Sequence, residues 1–208
     1  MKKTEKYLNL AILASGNGSN AARFIDYFRD HPAIHVGLIV SNNASAYVLE
    51  RAKEAGVPTE VIPGPDWEKE EEVKAVFHRY QIDAVVLAGY MRLIPPFLIR
   101  MFSNRIFNIH PALLPDFGGK GMYGKHVHRA VLESGAAKSG ITIHLVNEEY
   151  DKGRILFQEE VPISPSDTPE SLSAKVQQLE HFHYPRVVEA ELLQAGAWEH
   201  DCRSGFWR

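Results

Sequence analysis

The first half of the chain alternates short apolar runs with helical patterns, and that alternation leaves few folds open. Tyr7–Ala14, Ile34–Val40, Asp83–Gly89 and Ile106–Ile109 read as buried strands, and Thr59–Ile62 as a shorter one. Helical periodicity runs from Ala21 to about Arg29, over 45–55 and over the charged stretch 67–80. Strands alternating with helices imply a parallel sheet covered on both faces. The texture then changes. A helix is expected over 126–134, followed by strands over 141–146 and 154–162. Their connection, Asn147–Gly153, is too short for a crossover helix, so that pair is expected to be antiparallel. Asp167 or Thr168 caps a long final helix to about Ala195. The expected fold is therefore α/β and Rossmann-like: a mostly parallel sheet, an antiparallel C-terminal pair and a long C-terminal helix.

Bulk properties narrow the class. The 208 residues suit one domain, 45% of them are hydrophobic, and the formal net charge is −3. A nucleic-acid partner is not expected, because no basic surplus exists to meet a phosphate backbone. No apolar run reaches the length of a membrane span, and the start of the chain does not read as a signal peptide. The single cysteine, Cys202, excludes an intramolecular disulfide and a cysteine-rich zinc site, and suits a reducing, cytoplasmic setting.

Gly16-Asn17-Gly18-Ser19-Asn20-Ala21 lies between the first strand and the first helix. Glycines allow a tight turn and close backbone approach, and a helix N-terminus offers free N–H groups to an anion. A dinucleotide site also wants an acid after the second strand, and Ser41-Asn42-Asn43 stands there. The turn therefore suits a monophosphate, or serves as a plain strand-to-helix connection.

Asn108 and His110 point to one side of the fifth strand by alternation. At the carboxyl end of a parallel strand, an amide and an imidazole can both donate to a developing oxyanion, and the imidazole can move a proton near neutral pH. Taken alone, the histidine would suit a hydrogen-bonded core position. Asp151 would raise the His110 pKa if the two meet; otherwise 148–151 is a solvated acidic loop. His126/His128 and His181/His183 are spaced i,i+2 on helices, which does not put both on one face, so no metal site is expected.

Together these motifs resemble the phosphoribosylglycinamide formyltransferases of purine synthesis, over about residues 8–190. The carriers are Gly16-Asn17-Gly18-Ser19-Asn20, Leu87-Ala88-Gly89-Tyr90-Met91-Arg92, Asn108-Ile109-His110-Pro111-Ala112-Leu113-Leu114-Pro115, and His144–Asn147 through Asp151. The Asn-x-His-Pro-x-Leu-Leu-Pro string belongs to all folate-dependent formyltransferases; the Gly-rich turn narrows it to this member. The alternatives are another such formyltransferase or a formyltetrahydrofolate hydrolase. The relatives of those kinds that act on transfer RNA or hydrolyse the folate carry an extra domain, which 208 residues do not leave room for.

The resemblance implies transfer of the formyl group of 10-formyltetrahydrofolate to the amine of glycinamide ribonucleotide, without a metal. It implies that Asn108 and protonated His110 stabilise the oxyanion, with Asp151 holding His110 charged. Gly18, Ser19 and Asn20 would hold the phosphate, and Gln177 and Glu180 would meet the ribonucleotide; their i,i+3 spacing shares a helix face. Met91, Arg92, Leu93 and Ile94 would wall the folate pocket, and Asn147, Glu148, Glu149, Tyr150 and Asp151 would close over the pterin, with His144 in support. A monomer or homodimer is expected. The halves divide at about residue 104, with phosphate binding before it, folate and catalysis after it, and a tail over 196–208.

Two segments depart from the family pattern. Asp66–Glu72 lacks an arginine expected to touch the folate tail. Phe117–Lys125 is longer than the usual form, and its four glycines suggest a mobile loop, with Lys120 or Lys125 near an anion or simply solvated.

Overall fold

A computed structural model describes residues 7–199. The tail Asp201–Arg208, expected to pack on the domain or on a partner subunit, lies outside the described residues, as does Cys202. The chain runs β1 (Leu8–Leu13), α1 (Ser19–Tyr27), β2 (Ile34–Ser41), α2 (Tyr47–Glu54), β3 (Thr59–Val61), a 3-10 turn (Gly64–Glu68), α3 (Glu70–Arg79), β4 (Ala84–Leu87) and α4 (Pro96–Met101). It continues with β5 (Ile106–His110), α5 (Lys125–Glu133), β6 (Lys138–Leu145), β7 (Ile155–Pro162) and α6 (Pro169–Glu199). The seven strands form one sheet in the order β3-β2-β1-β4-β5-β6-β7. Strands β1 to β5 are parallel; β7 is antiparallel to β6, as their short connection required, and β6 is also antiparallel to β5.

The apolar runs are continuous because both faces of the sheet are covered. Along β1, Leu10 and Ile12 join the core formed with α1, α2, α5 and α6, while Ala11 and Leu13 join the core with α3 and α4. All four are fully buried, each larger side chain contributing about 1.5–3 kcal/mol of transfer free energy.

Three local readings change. The helix expected over 67–80 is split: Trp67 turns inward in the 3-10 turn, donating its indole N–H to Ile62 O at 3.1 Å, and α3 starts afresh at Glu70. A buried aromatic inside a charged run outweighed the charge pattern. Helix α4 was not foreseen; Pro96 starts it and buried Phe97 and Leu98 anchor it. Strand β6 begins at Lys138 rather than 141, because Gly140 lets the Glu159 carbonyl come close where a Cβ would collide.

The final helix is capped reciprocally. Ser171 N–H donates to Thr168 Oγ1 at 3.2 Å, and Thr168 N–H donates to Ser171 Oγ at 3.0 Å. Asp167 accepts from Lys175 Nζ at 2.6 Å and from the Ser171 hydroxyl at 2.7 Å. The Lys175 contact foremost holds its carboxyl down at about 2. Farther along, buried Tyr184 donates its hydroxyl to Leu87 O at 3.0 Å, tying α6 to the end of β4.

Candidate active site

The chain leaves β1 and β4, which are neighbours, toward opposite edges of the sheet. Such a switch point opens a crevice at the strands' carboxyl ends. Ser15 knits this point together: its N–H donates to Gly89 O, its hydroxyl donates to Asn42 Oδ1 at 2.6 Å, and it accepts from Met91 N–H at 3.1 Å. The Gly-rich turn sits on it. Gly18 caps α1 at φ 71°, ψ 31°, and a Cβ there would collide with Val48. Helix α2 supports the turn from behind, with Val48 N–H on Gly16 O and Arg51 donating to Asn17 O at 2.9 Å and Asn17 Oδ1 at 3.2 Å. No side chain caps α1, so its first N–H groups have no intrahelical or capping partner.

Helix α6 crosses this turn. Gln177 Nε2 donates to Ser19 Oγ at 3.2 Å, and Asn20 Nδ2 donates to Glu180 Oε2 at 2.8 Å. The five residues expected to meet the ribonucleotide thus lie together, although they come from opposite ends of the chain. Burial pushes the Glu180 carboxyl up, against the opposing pull of the Asn20 hydrogen bond. Asn20 Oδ1 is buried without a partner.

Asn108 and His110 end β5, and Asp151 reaches them from the β6–β7 loop. Asp151 adopts φ 55°, a left-handed backbone that aspartate tolerates better than most side chains. Its Oδ2 accepts Gly119 N–H at 2.9 Å and stands 3.6 Å from His110 Nδ1. Its Oδ1 stands 3.6 Å from His144 Nε2 and 3.5 Å from Asn108 Nδ2. His144 donates Nδ1–H to Leu145 O at 2.8 Å, which leaves Nε2 to accept from Asn108 Nδ2 at 3.1 Å. His110 donates Nε2–H to Phe117 O at 2.8 Å, and Phe117 also has a positive φ of 55°. Burial pushes the Asp151 carboxyl up, but the close approach of His144, the Gly119 N–H and the neighbouring His110 outweigh it, leaving its pKa below the ordinary value.

His110 departs from expectation. Asp151 and the Phe117 carbonyl do pull its pKa upward, but burial works against them and dominates, with His144 adding to it. The net shift is downward, so the unliganded imidazole is neutral at neutral pH rather than protonated. The reason is geometric: the ring is 3% exposed, and 3.6 Å is too long for a direct ion pair to offset that desolvation.

Around these groups lies a cavity of about 600 Å³. Asn20, Gln177 and Glu180 line it, as do Asn108, His110, His144, Met91–Ile94, Asn147, Glu149, Tyr150 and Asp151. Gly18, Ser19 and Glu148 are not in its wall. The cavity draws on both sides of residue 104: Met91–Ile94 precede it and Gln177 and Glu180 follow it. Where the arginine is missing, Gly64 leaves room for the Arg92 guanidinium, which occupies the place a Cβ would take. The Gly-rich segment lines the cavity from Gly119 to Gly124, with Gly119, Gly121 and Gly124 at positive φ. Lys120 is in the wall; Lys125 makes an exposed 3.5 Å pair with Glu170, worth little.

The groups that hold the Asn-x-His-Pro loop carry no motif in the sequence. Thr142 of β6, wholly buried, donates its hydroxyl to Ala112 O at 2.7 Å and accepts Leu114 N–H at 2.9 Å. Gln158 of β7 donates to Thr142 Oγ1 and to Leu114 O, both at 2.9 Å. A lone threonine in an apolar strand was the available signal. His126 and His128 separate as expected: His126 is exposed against Tyr123, whereas His128 is buried in the cavity wall. Among the described residues no group of His, Cys, Asp or Glu is arranged to hold a metal ion, and no helix is long and apolar enough to cross a membrane.

The arrangement has counterparts elsewhere. The model of the formyl transferase family matches residues 8–188. Phosphoribosylglycinamide formyltransferase, chloroplastic, of Arabidopsis thaliana is 46% identical over 198 residues, covering 92% of this chain and 68% of the relative. The Escherichia coli phosphoribosylglycinamide formyltransferase is 36% identical over 186 residues, covering 87% and 85%. A crystal structure of the Bacillus halodurans enzyme of that name superposes with a TM-score of 0.80 at 37% identity, covering 90% and 96%. The chain spans 65% of a Vigna unguiculata relative and 19% of a bovine trifunctional purine biosynthetic protein. With the family model matching residues 8–188 and these relatives matching nearly the whole described length, this chain belongs to the formyl transferase family, among the phosphoribosylglycinamide formyltransferases.

Proposed function

We propose that the protein transfers the formyl group of 10-formyltetrahydrofolate to the amine of N1-(5-phospho-D-ribosyl)glycinamide, in de novo purine synthesis. The observation that carries this reading is the union in one cavity of Asn20, Gln177 and Glu180 with Asn108, His110 and Asp151. The Gly-rich turn holds the phosphate on the free N–H groups of α1, while Gln177 and Glu180 hold the sugar end. The folate lies along Met91–Ile94 and under the 147–151 loop. Residues 8–195 act as one unit, with both substrates spanning its halves.

The amine lone pair attacks the formyl carbon, and the carbonyl electrons move to oxygen. Asn108 Nδ2–H donates to that oxyanion, and His110 stabilises its charge once the ring has taken up the amine proton. His110 starts neutral; the negative charge growing beside it, added to that of Asp151, raises its proton affinity at the moment of need. The amine proton passes to the His110–Asp151 pair. Collapse of the intermediate re-forms the carbonyl and breaks the bond to N10, which takes up that proton and leaves as tetrahydrofolate.

The test is to incubate the protein with 10-formyltetrahydrofolate with and without the ribonucleotide. Tetrahydrofolate should appear only with the ribonucleotide, one for each formylated product. Release at the same rate without it would replace this reading with a folate hydrolase.

A further inference from the structure

His128, on α5, is 3% exposed and lines the same cavity as His110. Its Nδ1 is buried and has no hydrogen-bond partner. His110 and His144 each bond a ring nitrogen to a backbone carbonyl, as purely structural buried imidazoles also do. His128 does not. A buried N–H without an acceptor costs more, and is rarer, than a buried lone pair. The proton of the neutral ring therefore sits on Nε2, the nitrogen left to meet the cavity. The ring stays neutral because burial, and after it the neighbouring His110, push its pKa down. Helix α5 also packs on α6, which brings Ser173, Gln177 and Glu180 to the same cavity.

A neutral N–H donor in such a wall suits a neutral acceptor. The glycinamide carbonyl is one: its carbon shares a methylene with the attacking amine, so an amine within reach of His110 keeps that oxygen in the same part of the cavity. We propose that His128 donates from Nε2 to the glycinamide carbonyl oxygen and so orients the amine for attack, an inference that rests on the ribonucleotide reading above. His128 is thus a substrate-positioning contact and takes no proton in the reaction.

Three variants test it: His128→Leu, His128→Gln and His128→Asn. Glutamine places an amide N–H near the Nε2 position, while asparagine reaches only the Nδ1 position. By calorimetry, His128→Leu should weaken ribonucleotide binding about tenfold, the loss expected of one neutral hydrogen bond at the upper end of its range. Affinity for 10-formyltetrahydrofolate and the melting temperature should not follow. Glutamine should restore most of the binding and asparagine none. An analogue with a methylene in place of the glycinamide carbonyl should bind wild type and His128→Leu alike.

Equal ribonucleotide binding by wild type and His128→Leu would overturn the proposal. So would equal rescue by Gln and Asn, or a parallel fall in folate affinity and melting temperature, which would mark a packing role. If the leucine variant does not fold, the split between Gln and Asn decides. Wild-type protein that binds no ribonucleotide at all would instead overturn the reading of the whole site.

Discussion

The two ends of the site are built in different ways. The Gly-rich turn is held by backbone: a left-handed glycine, a helix start and the underside of α2. The reaction centre is held by side chains from segments far apart in sequence, with Asp151 and Phe117 both in left-handed conformations. A backbone site tolerates changes around it but not a change of its own glycine. A side-chain site loses its chemistry with any one member while its fold persists.

Predictions follow from breaking that contrast. The largest effect belongs to the centre. His110→Ala should lower kcat by about 10²–10⁴, the usual worth of a positioned acid–base group, with little change in KM for either substrate. Activity within a few-fold of wild type would remove His110 from its proposed role. Asp151→Asn keeps a residue that accepts positive φ and removes the charge. It should lower kcat comparably, and the His110 titration followed by NMR should move to lower pH; an unmoved titration would separate the two residues.

At the other end, Gly18→Ala adds a Cβ against Val48 at positive φ. It should cost about 2–3 kcal/mol of stability and raise the ribonucleotide KM, with kcat nearly kept. Val48→Ala in the same chain should recover only the part due to collision. Full recovery would mean that the left-handed backbone matters less than the space.

Thr142→Val tests the support of the centre. It leaves the Ala112 carbonyl and Leu114 N–H without their buried partner and should cost about 1–3 kcal/mol by denaturant titration, lowering kcat more than KM. A stable variant with unchanged kcat would show the loop to be held by Gln158 and packing alone.

The smallest effect is in pH. Both His110 and His128 have lowered pKa values in the fold, so below the ordinary imidazole value near 6.5 the unfolded chain binds more protons than the native one. Stability should therefore be full above about pH 6.5 and decline as pH falls below it. Asp151, also lowered, adds a loss in the same direction at more acid pH. Melting temperatures between pH 7.5 and 5 check this, and His110→Gln should flatten the slope. Glu180, raised by burial, contributes with the opposite sign, so the deciding comparison is with His110→Gln: a slope unchanged by that substitution would contradict the burial argument for His110.

The same contrast decides what a reader of the sequence could see. The turn was legible because its requirements are local: glycines, a strand before and a helix after. Its missing acid at Ser41–Asn43 was equally local. Asn108 and His110 were visible as a polar pair ending an apolar strand. Asp151 was not, since nothing near it in sequence says that a loop folds back on β5; only family resemblance raised it above an acidic turn. The net pKa shift of His110 was hidden for the same reason. Its partner could be named, but the desolvation that outweighs that partner belongs to the packed molecule. His128 was weighed only for metal, and its orphaned nitrogen is a property of the fold.

Thr142 makes the strand-end loop inseparable from the antiparallel strands. One hydroxyl joins the strand-end loop to β6, and Gln158 joins it to β7, so the segment that presents His110 is not a transferable part. Transplanting Pro111–Pro115 into another sheet would carry the sequence without its shape unless both antiparallel strands travelled with it. For redesign, the smallest unit that keeps the chemistry is three strands wide.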